Sequence, residues 1–275
     1  MSVKMFSFGG SKPETTYLFI DGSYLRRYYT ESVRQWFGFD GEIDFTLVKQ
    51  QYSARKSFYY DCLDDIKREG ENETDFNLRV EKQEAFFNKI REVTGSHVRL
   101  GSLTGTAKNK RQKEVDILLA VDMLNHAVRQ NMNRAVLLAG DRDFKPVVES
   151  LVQMGIFVDV VGDKRHTSKD LAWSADTFTG ISFSEYYQWS AESHRKKHPV
   201  NILHINMPPA DSKVIQKGLV GGKNLTLYKS DTNNNFYIFV EAFHNENSNL
   251  TLQFHDLNQL KLYFELQYGK VDWQN

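Results

Sequence analysis

The chain has 275 residues, and its 35 lysines and arginines balance 35 aspartates and glutamates, so the formal net charge at pH 7 is zero. This length suits one large domain or two smaller ones. Any attraction for a polyanion must therefore come from a local patch. The single cysteine, Cys62, excludes an intramolecular disulfide and is typical of a reducing compartment. No stretch is apolar enough to serve as a signal peptide or membrane span, so we expect a cytoplasmic protein without membrane contact.

The predicted elements begin after a loose lead-in over residues 1–14. Tyr17–Ile20 predicts a strand that Asp21 follows directly, and Ser23–Ser32 predicts a helix. Arg34–Leu47 predicts an irregular insertion. Further along the chain we predict a strand, a loop, a helix, a strand and a loop at Ser57–Tyr60, Asp65–Asp75, Phe76–Val93, His97–Leu103 and Thr104–Lys113.

The next helix, from Glu114 to about Arg129, has two distinct faces. At 100° per residue, Asp122 falls on a polar stripe, whereas Asp116 lies on the face shared with Met123. A carboxylate on an apolar face near a helix N-terminus needs a reason, and a metal site supplies one. The alternative is a favourable interaction of Asp116 with the helix dipole.

The stretch Ala135–Ala139 is short and wholly apolar, which predicts a strand buried on both faces. Gly140 ends it, and Asp141 and Asp143 follow. In an open α/β sheet, the carboxyl ends of the strands form the crevice where ligands bind. We therefore expect Asp21, Asp141 and Asp143 to converge there, although Asp21 and Asp143 also suit helix N-caps.

Converging carboxylates repel one another unless a cation neutralises them. An all-oxygen cluster suits Mg²⁺ or Mn²⁺. Such ions activate water and stabilise the leaving oxygen in phosphodiester hydrolysis. The sequence therefore predicts a metal-dependent nuclease.

Beyond this stretch we predict a helix at Phe144–Met154, a strand at Ile156–Val161 and a helix at Ser168–Phe178. Residues 15–180 thus alternate strands and helices, which predicts an α/β fold with a parallel sheet and helices on both faces. A charged break at His194–Pro199 separates a domain over 15–190 from a second over 200–275. The second is predicted as a small strand-rich α+β accessory domain with strands and a closing helix at Val200–Ile205, Leu225–Lys229, Phe236–Phe243, Leu250–Phe254 and Asp256–Gln267.

Several motifs occur in an order that resembles the NYN domains of the LabA-like group. They are Phe19–Leu25, Phe58–Asp61, Lys113–Asp116 and Ala139–Phe144, and the resemblance covers about residues 15–185. It implies a PIN-like fold and an Mg²⁺- or Mn²⁺-dependent ribonuclease. The catalytic and metal-binding residues that it implies are Asp21, Asp116, Asp141 and Asp143. Asp122 also matches an acidic position of the family, but its place on the polar stripe makes it a supporting residue at most.

RNA is the expected partner, through charge and base stacking. The candidate substrate-binding residues are Ser23, Tyr24, Arg26, Lys110, Arg111, Lys113 and Arg142. Each taken singly also suits an ordinary solvated surface. Residues 200–275 would bind a regulatory protein or a second copy of the chain, as in a regulated or defence-type effector.

Three other functions compete with this hypothesis. A phosphatase with an Asp-x-Asp nucleophile would carry the pair after its first strand, where this chain has Asp21-Gly22-Ser23. A metal-dependent adhesion site would need serine at Leu25. A catalytically silent RNA-binding or assembly module would bind RNA without cutting it, and the presence of all four carboxylates weakens that alternative.

Overall fold

The computed structural model describes residues 14–106, 109–245 and 248–274, with the side chains of 103–113 and 244–247 left outside that description. Its contacts divide the chain into two compact units. The first unit holds Phe45–Gly180 together with the chain up to Tyr28, and the second holds Tyr29–Asp44 and Ile181–Asn275. The predicted domain limits, 15–190 and 200–275, stay predictions.

The first unit contains one seven-stranded sheet. Its strands are β1 Thr16–Asp21, β2 Lys56–Cys62, β3 Ser96–Thr106, β4 Asn109–Lys113, β5 Arg134–Leu138, β6 Phe157–Asp163 and β7 Thr177–Ile181. Their order across the sheet is β4-β3-β2-β1-β5-β6-β7. Neighbouring strands are parallel from β3 through β2, β1 and β5 to β6, whereas β4 is antiparallel to β3. The predicted parallel α/β sheet is confirmed.

Helices cover both faces of this sheet. They are α1 Gly22–Phe37, α2 Phe45–Gln51, α3 Glu73–Glu92, α4 Val115–Val128, α5 Lys145–Gln153 and α6 Lys169–Ser174, with a 3₁₀ helix at Arg142–Phe144. Phe19 of β1 belongs to the core that also buries Leu119 of α4 and Val148 of α5. Tyr59 of β2 points to the opposite face, where its ring packs against Phe87 of α3.

The predicted insertion at Arg34–Leu47 is wrong at both of its ends. α1 continues to Phe37 because Val33 and Phe37, one turn apart, are both buried. α2 begins at Phe45, whose side chain is also buried. Burial of aromatic side chains extended these helices, whereas the glycines of the segment had suggested irregular structure.

Two other predictions are wrong near the ends of the sheet. In the segment Thr104–Lys113, predicted as a loop, the described residues belong to β3 and β4, because an edge strand needs only backbone pairing and tolerates charged side chains. Ser168–Phe178, predicted as one helix, ends its helix at Ser174 and begins β7 at Thr177. The other helices and strands predicted in the first unit are confirmed within a few residues.

The second unit contains a six-stranded sheet and three further helices. They are α7 Phe183–Gln188, α8 Glu192–Lys197, β8 Leu203–His204, β9 Ser212–Val220, β10 Lys223–Ser230, β11 Phe236–Asn245, β12 Ser248–Phe254, α9 Leu257–Tyr268 and β13 Asp272–Trp273. The order is β13-β9-β10-β11-β12-β8, and the pairs are antiparallel. The strand-rich α+β prediction is confirmed, although β9 and β13 were missed and the charged break at His194–Pro199 is largely helical.

Buried aromatic and aliphatic side chains hold the second unit together. Leu260 and Phe264 of α9 are fully buried, and α9 contacts β11 and β12. Tyr263 packs edge-on against Trp36 from the second half of α1. Within the described parts of both units, no helix has the length and apolar character needed to cross a membrane.

Candidate functional site

Carboxylates stand at the ends of four neighbouring parallel strands. Asp21 closes β1, Asp61 is the penultimate residue of β2, Asp141 follows β5 after two residues, and Asp163 closes β6. Because these strands run in the same direction, their carboxyl ends lie along one edge of the sheet. The sequence predicted this location for Asp21 and Asp141.

Asp21 is buried and held in place by the start of α1. Its Oδ1 atom accepts hydrogen bonds from Ser23 Oγ at 3.0 Å and from the backbone N–H of Tyr24 at 3.1 Å. Burial raises the pKa of Asp21, and the nearby carboxylate of Asp61 raises it further against the effect of these hydrogen bonds. A buried carboxylate in this state favours a proton or a cation as neighbour.

Asp116 lies in the first turn of α4, which begins at the same edge of the sheet. Lys113 lies just before α4 and pairs with Ser102 of β3. Ser102 is the residue after the last one of β3 that pairs with β2. The prediction that Asp116 faces the core is wrong, because its side chain is only partly buried and remains open to solvent, whereas Met123 further along α4 is buried. The start of α4 therefore projects this carboxylate at the edge and not into the core.

The four predicted catalytic residues interact electrostatically. Partial burial raises the pKa of Asp116, and the charges of Asp21, Asp141 and Asp143 each raise it further. Asp141 accepts a hydrogen bond from the backbone N–H of Asp143 at 3.0 Å and thereby caps the 3₁₀ helix. The structure thus brings together the four residues, which come from three separate parts of the chain.

The set matches the chemistry of a hard divalent cation. Carboxylate oxygens are the preferred ligands of Mg²⁺ and Mn²⁺, and the charges of the other three aspartates add to partial burial in raising the pKa of Asp116. Among the described side chains, no basic group forms an ion pair with these four aspartates. Within the same residues, no three Asp, Glu, His or Cys side chains form a group close enough to hold a metal as they stand.

Asp122 has a different role from the other acidic residues of the set. It receives hydrogen bonds from Arg99 Nε at 2.9 Å and from the hydroxyl of Tyr60 at 3.1 Å. These contacts join α4 to β2 and β3. The ion pair with Arg99 already neutralises the charge of Asp122, as expected for a supporting residue.

Asp61 and Arg26 form a pair beside Asp21 that the sequence reasoning missed. Asp61 is 1% exposed, and Arg26 Nη2 lies 2.8 Å from its Oδ2 atom. Burial raises the pKa of Asp61, and the charge of Arg26 opposes that shift. The sequence does contain a signal for Asp61, because this residue follows the apolar run Phe58–Tyr60 just as Asp21 follows its own apolar strand. Arg26, predicted to contact RNA, is engaged by this buried carboxylate.

Tyr24, also predicted to contact RNA, is a packing residue. It is 8% exposed, and its hydroxyl accepts the backbone N–H of Asp163 at 2.8 Å and shares a hydrogen bond with Thr167. Burial raises its pKa to about 12. A Cβ atom on Gly140 would collide with its ring. Tyr24 therefore has no free face on which a base could stack.

The remaining predicted contacts divide into two groups. Ser23 and Arg142 are exposed near the carboxylates, where Ser23 donates to Asp21 and Arg142 pairs with Asp170 at 3.0 Å. The second group is Lys110, Arg111 and Lys113, which lie in β4 and whose side chains fall outside the described part of the structure. The structure thus positions Ser23 and Arg142 at the site and leaves the role of the β4 side chains as a prediction.

This chain is similar to one solved structure and to one family model. A crystal structure of a protein of unknown function from Vibrio parahaemolyticus is 20% identical, with a TM-score of 0.46, and the match covers 65% of this chain and 96% of that chain. No curated protein matches the chain. Residues 15–182 match the model of the NYN domain, and no family model matches the C-terminal region. Because that match spans more than half of the sequence, this protein belongs to the NYN domain family.

Proposed function

We propose that this protein is a ribonuclease that uses Mg²⁺ or Mn²⁺ to hydrolyse the phosphodiester bonds of RNA. NYN domains belong to the PIN-like nuclease superfamily, whose members generally use divalent metals. The observation that supports the proposal is the position of Asp21 and Asp141 at the carboxyl ends of the adjacent parallel strands β1 and β5, where their charges and that of Asp143 also reach Asp116 and raise its pKa beyond the effect of partial burial. Perturbed carboxylates at the carboxyl edge of a parallel sheet are candidates for a catalytic site.

The same four aspartates would hold the ion. When bound, it would supply an activated water and stabilise the charge of the leaving oxygen. Asp21 is kept in one orientation by Ser23 and the backbone of Tyr24, and Asp141 by the backbone N–H of Asp143. Without a cation these carboxylates would repel a phosphodiester, so we expect both RNA binding at the site and its cleavage to require the metal.

The test is a cleavage assay with labelled single-stranded RNA, structured RNA and DNA, each in Mg²⁺, in Mn²⁺ and in EDTA. We expect the wild type to cut RNA only with metal and Asp141→Asn to lose that activity. The matched control is Asp231→Asn, because Asp231 is an exposed aspartate in the turn between β10 and β11, paired with Lys213. Metal-independent cleavage, or full activity of Asp141→Asn, would overturn the assignment.

Thermal unfolding gives a readout that does not depend on catalysis. A ligand at about 100 times its Kd stabilises the folded state by about 2.7 kcal/mol. For a domain of this size, that raises Tm by roughly 5 to 10 °C. We expect Mn²⁺ to produce this shift in the wild type and in Asp231→Asn, and a smaller one in Asp141→Asn. RNA binding without cleavage in any metal would instead identify a binding module.

Two finer predictions accompany this proposal. The cytoplasmic location predicted from the sequence stays a prediction. So does the regulatory or oligomeric role of residues 200–275. Both can be examined once the RNA class is known.

A further inference from the structure

The loop that follows β6 lies against the residue that precedes Asp141. The backbone N–H of Ser168 donates to the carbonyl of Gly140 at 2.9 Å. The carbonyl oxygen of His166 would lie only 2.6 Å from a Cβ atom at Gly140. The loop over residues 163–168 is therefore part of the same edge of the sheet as the four carboxylates.

This loop presents a stacked pair of rings. The imidazole of His166 lies on the ring of Tyr28, with centroids 4.2 Å apart and planes 17° apart. Tyr28 in turn meets Tyr24 edge-on at 4.7 Å. The side chain of His166 is 36% exposed. Tyr28 covers one face of the imidazole, and about a third of the side chain is open to solvent.

Basic side chains lie beside this pair. Lys164 and Arg165 precede His166 and are exposed, and Arg165 pairs with Asp163 at 2.8 Å. The guanidinium of Arg27 lies 5.4 Å from the centroid of the Tyr28 ring. A flat aromatic face next to several cations is the combination that proteins use to bind single-stranded nucleic acid.

We propose that the outer face of His166 is the stacking platform for one unpaired base of the RNA strand that the carboxylates cut, with Lys164, Arg165 and Arg27 contacting the neighbouring phosphates. This inference rests on the proposed function for the identity of the strand. A base in a duplex is already stacked on both sides, so the platform selects single-stranded RNA. The site would therefore receive unpaired RNA from the β6 side of the sheet.

The test measures binding and not cleavage. Fluorescence anisotropy would follow a labelled single-stranded RNA of about ten nucleotides with cleavage-resistant phosphorothioate linkages, with Mg²⁺ present and all four aspartates intact, the RNA being checked on a gel afterwards. We compare His166→Ala, His166→Phe and His97→Ala. His97 is a matched control, because it is also an exposed histidine stacked on an aromatic ring, Phe58, but it lies at the amino-terminal end of β3.

We expect His166→Ala to weaken binding of single-stranded RNA about tenfold, as loss of one stacked base predicts, and His97→Ala to leave it unchanged. His166→Phe keeps an aromatic face and should bind nearly as the parent does. The same RNA annealed to its complement should bind weakly in every variant. Urea unfolding of His166→Ala, expected to match the parent, separates a lost contact from a damaged fold.

Five outcomes would overturn the inference, and four of them compare affinities. They are equal affinity of His166→Ala and His97→Ala, failure of His166→Phe to restore binding, equal binding of duplex, and a clear preference for single-stranded DNA. Absence of any RNA binding would overturn it as well. None of these depends on catalysis, so a protein that binds through His166 but never cuts RNA would refute the nuclease proposal and leave the platform in place.

Discussion

Replacing Gly140 by alanine probes how tightly the end of β5 is packed beside the carboxylates. A Cβ atom here would lie 2.9 Å from Tyr24 Cζ and 2.6 Å from the carbonyl oxygen of His166, with a ring carbon of Tyr24 nearer still. One neighbour is backbone, and the other is a buried ring whose hydroxyl bonds Asp163. Neither can move without disturbing the loop after β6.

Gly140→Ala has two opposing effects on the free energy of unfolding. Overpacking a tightly filled site costs about 1–3 kcal/mol of unfolding free energy. Glycine-to-alanine replacement returns about 0.4–1 kcal/mol by restricting the unfolded chain. We therefore expect Gly140→Ala to lose about 1–2 kcal/mol, which is a fall in Tm of roughly 2–8 °C.

Gly180→Ala is the matched control. Its Cβ atom would also fall close to another group, 2.6 Å from Lys164 Cγ, but that group is a flexible exposed side chain. We expect its midpoint in urea to equal or exceed that of the wild type. If Gly140→Ala unfolds at the wild-type midpoint, or if Gly180→Ala loses as much, the reasoning from rigid neighbours is refuted.

Two further predictions concern buried and clustered charge. Asp116→Asn should raise the unfolding free energy near pH 7, and the gain should shrink as the pH falls toward 4. The pKa of Asp116 in the folded state is raised above the ordinary 3.8. The stability that the protonated carboxyl contributes is therefore lost as the pH rises through the folded pKa. Equal gains in unfolding free energy at pH 4 and pH 7 in urea titrations would contradict this. Arg26→Ala should cost about 2–3 kcal/mol, because it leaves Asp61 buried without its cation, discounted for the partial exposure of Arg26. Lys196→Ala, which breaks an exposed pair with Glu192, should leave the urea midpoint almost unchanged in the same titration, and a similar cost for both variants would refute the argument from burial.

Strands with strong apolar runs could be predicted from the sequence, and polar edge strands could not. β5 and β1 were found because every residue of their central stretch is apolar, as burial on both faces requires. β4 has the sequence Asn-Lys-Arg-Gln-Lys, which contains no hydrophobic pattern to detect, and its backbone pairs with β3. β9 was missed for a related reason, since most of its side chains are exposed or only partly buried.

The candidate site could be predicted where it depends on strand ends and not where it depends on tertiary packing. Asp21 and Asp141 follow apolar runs, so their position followed from the parallel sheet. The burial of Tyr24 could not be anticipated, because it results from a glycine 116 positions away in the chain, Gly140, that leaves room for the ring. The helical wheel also failed for Asp116, because it describes the direction of a side chain and not where the surrounding core ends.

The spacing of the four carboxylates along the chain has a consequence for synthesis. Asp21 emerges from the ribosome first, and the set stays incomplete until Asp141 and Asp143 have followed and β5 has paired beside β1. A nascent chain that ends with β4 carries one of the four, and a product that stops within α5 or later carries all of them. Under the proposed function, a nascent chain with all four carboxylates would cut its own messenger while that messenger is being translated. The order of the residues postpones that cleavage until Asp143 has been made.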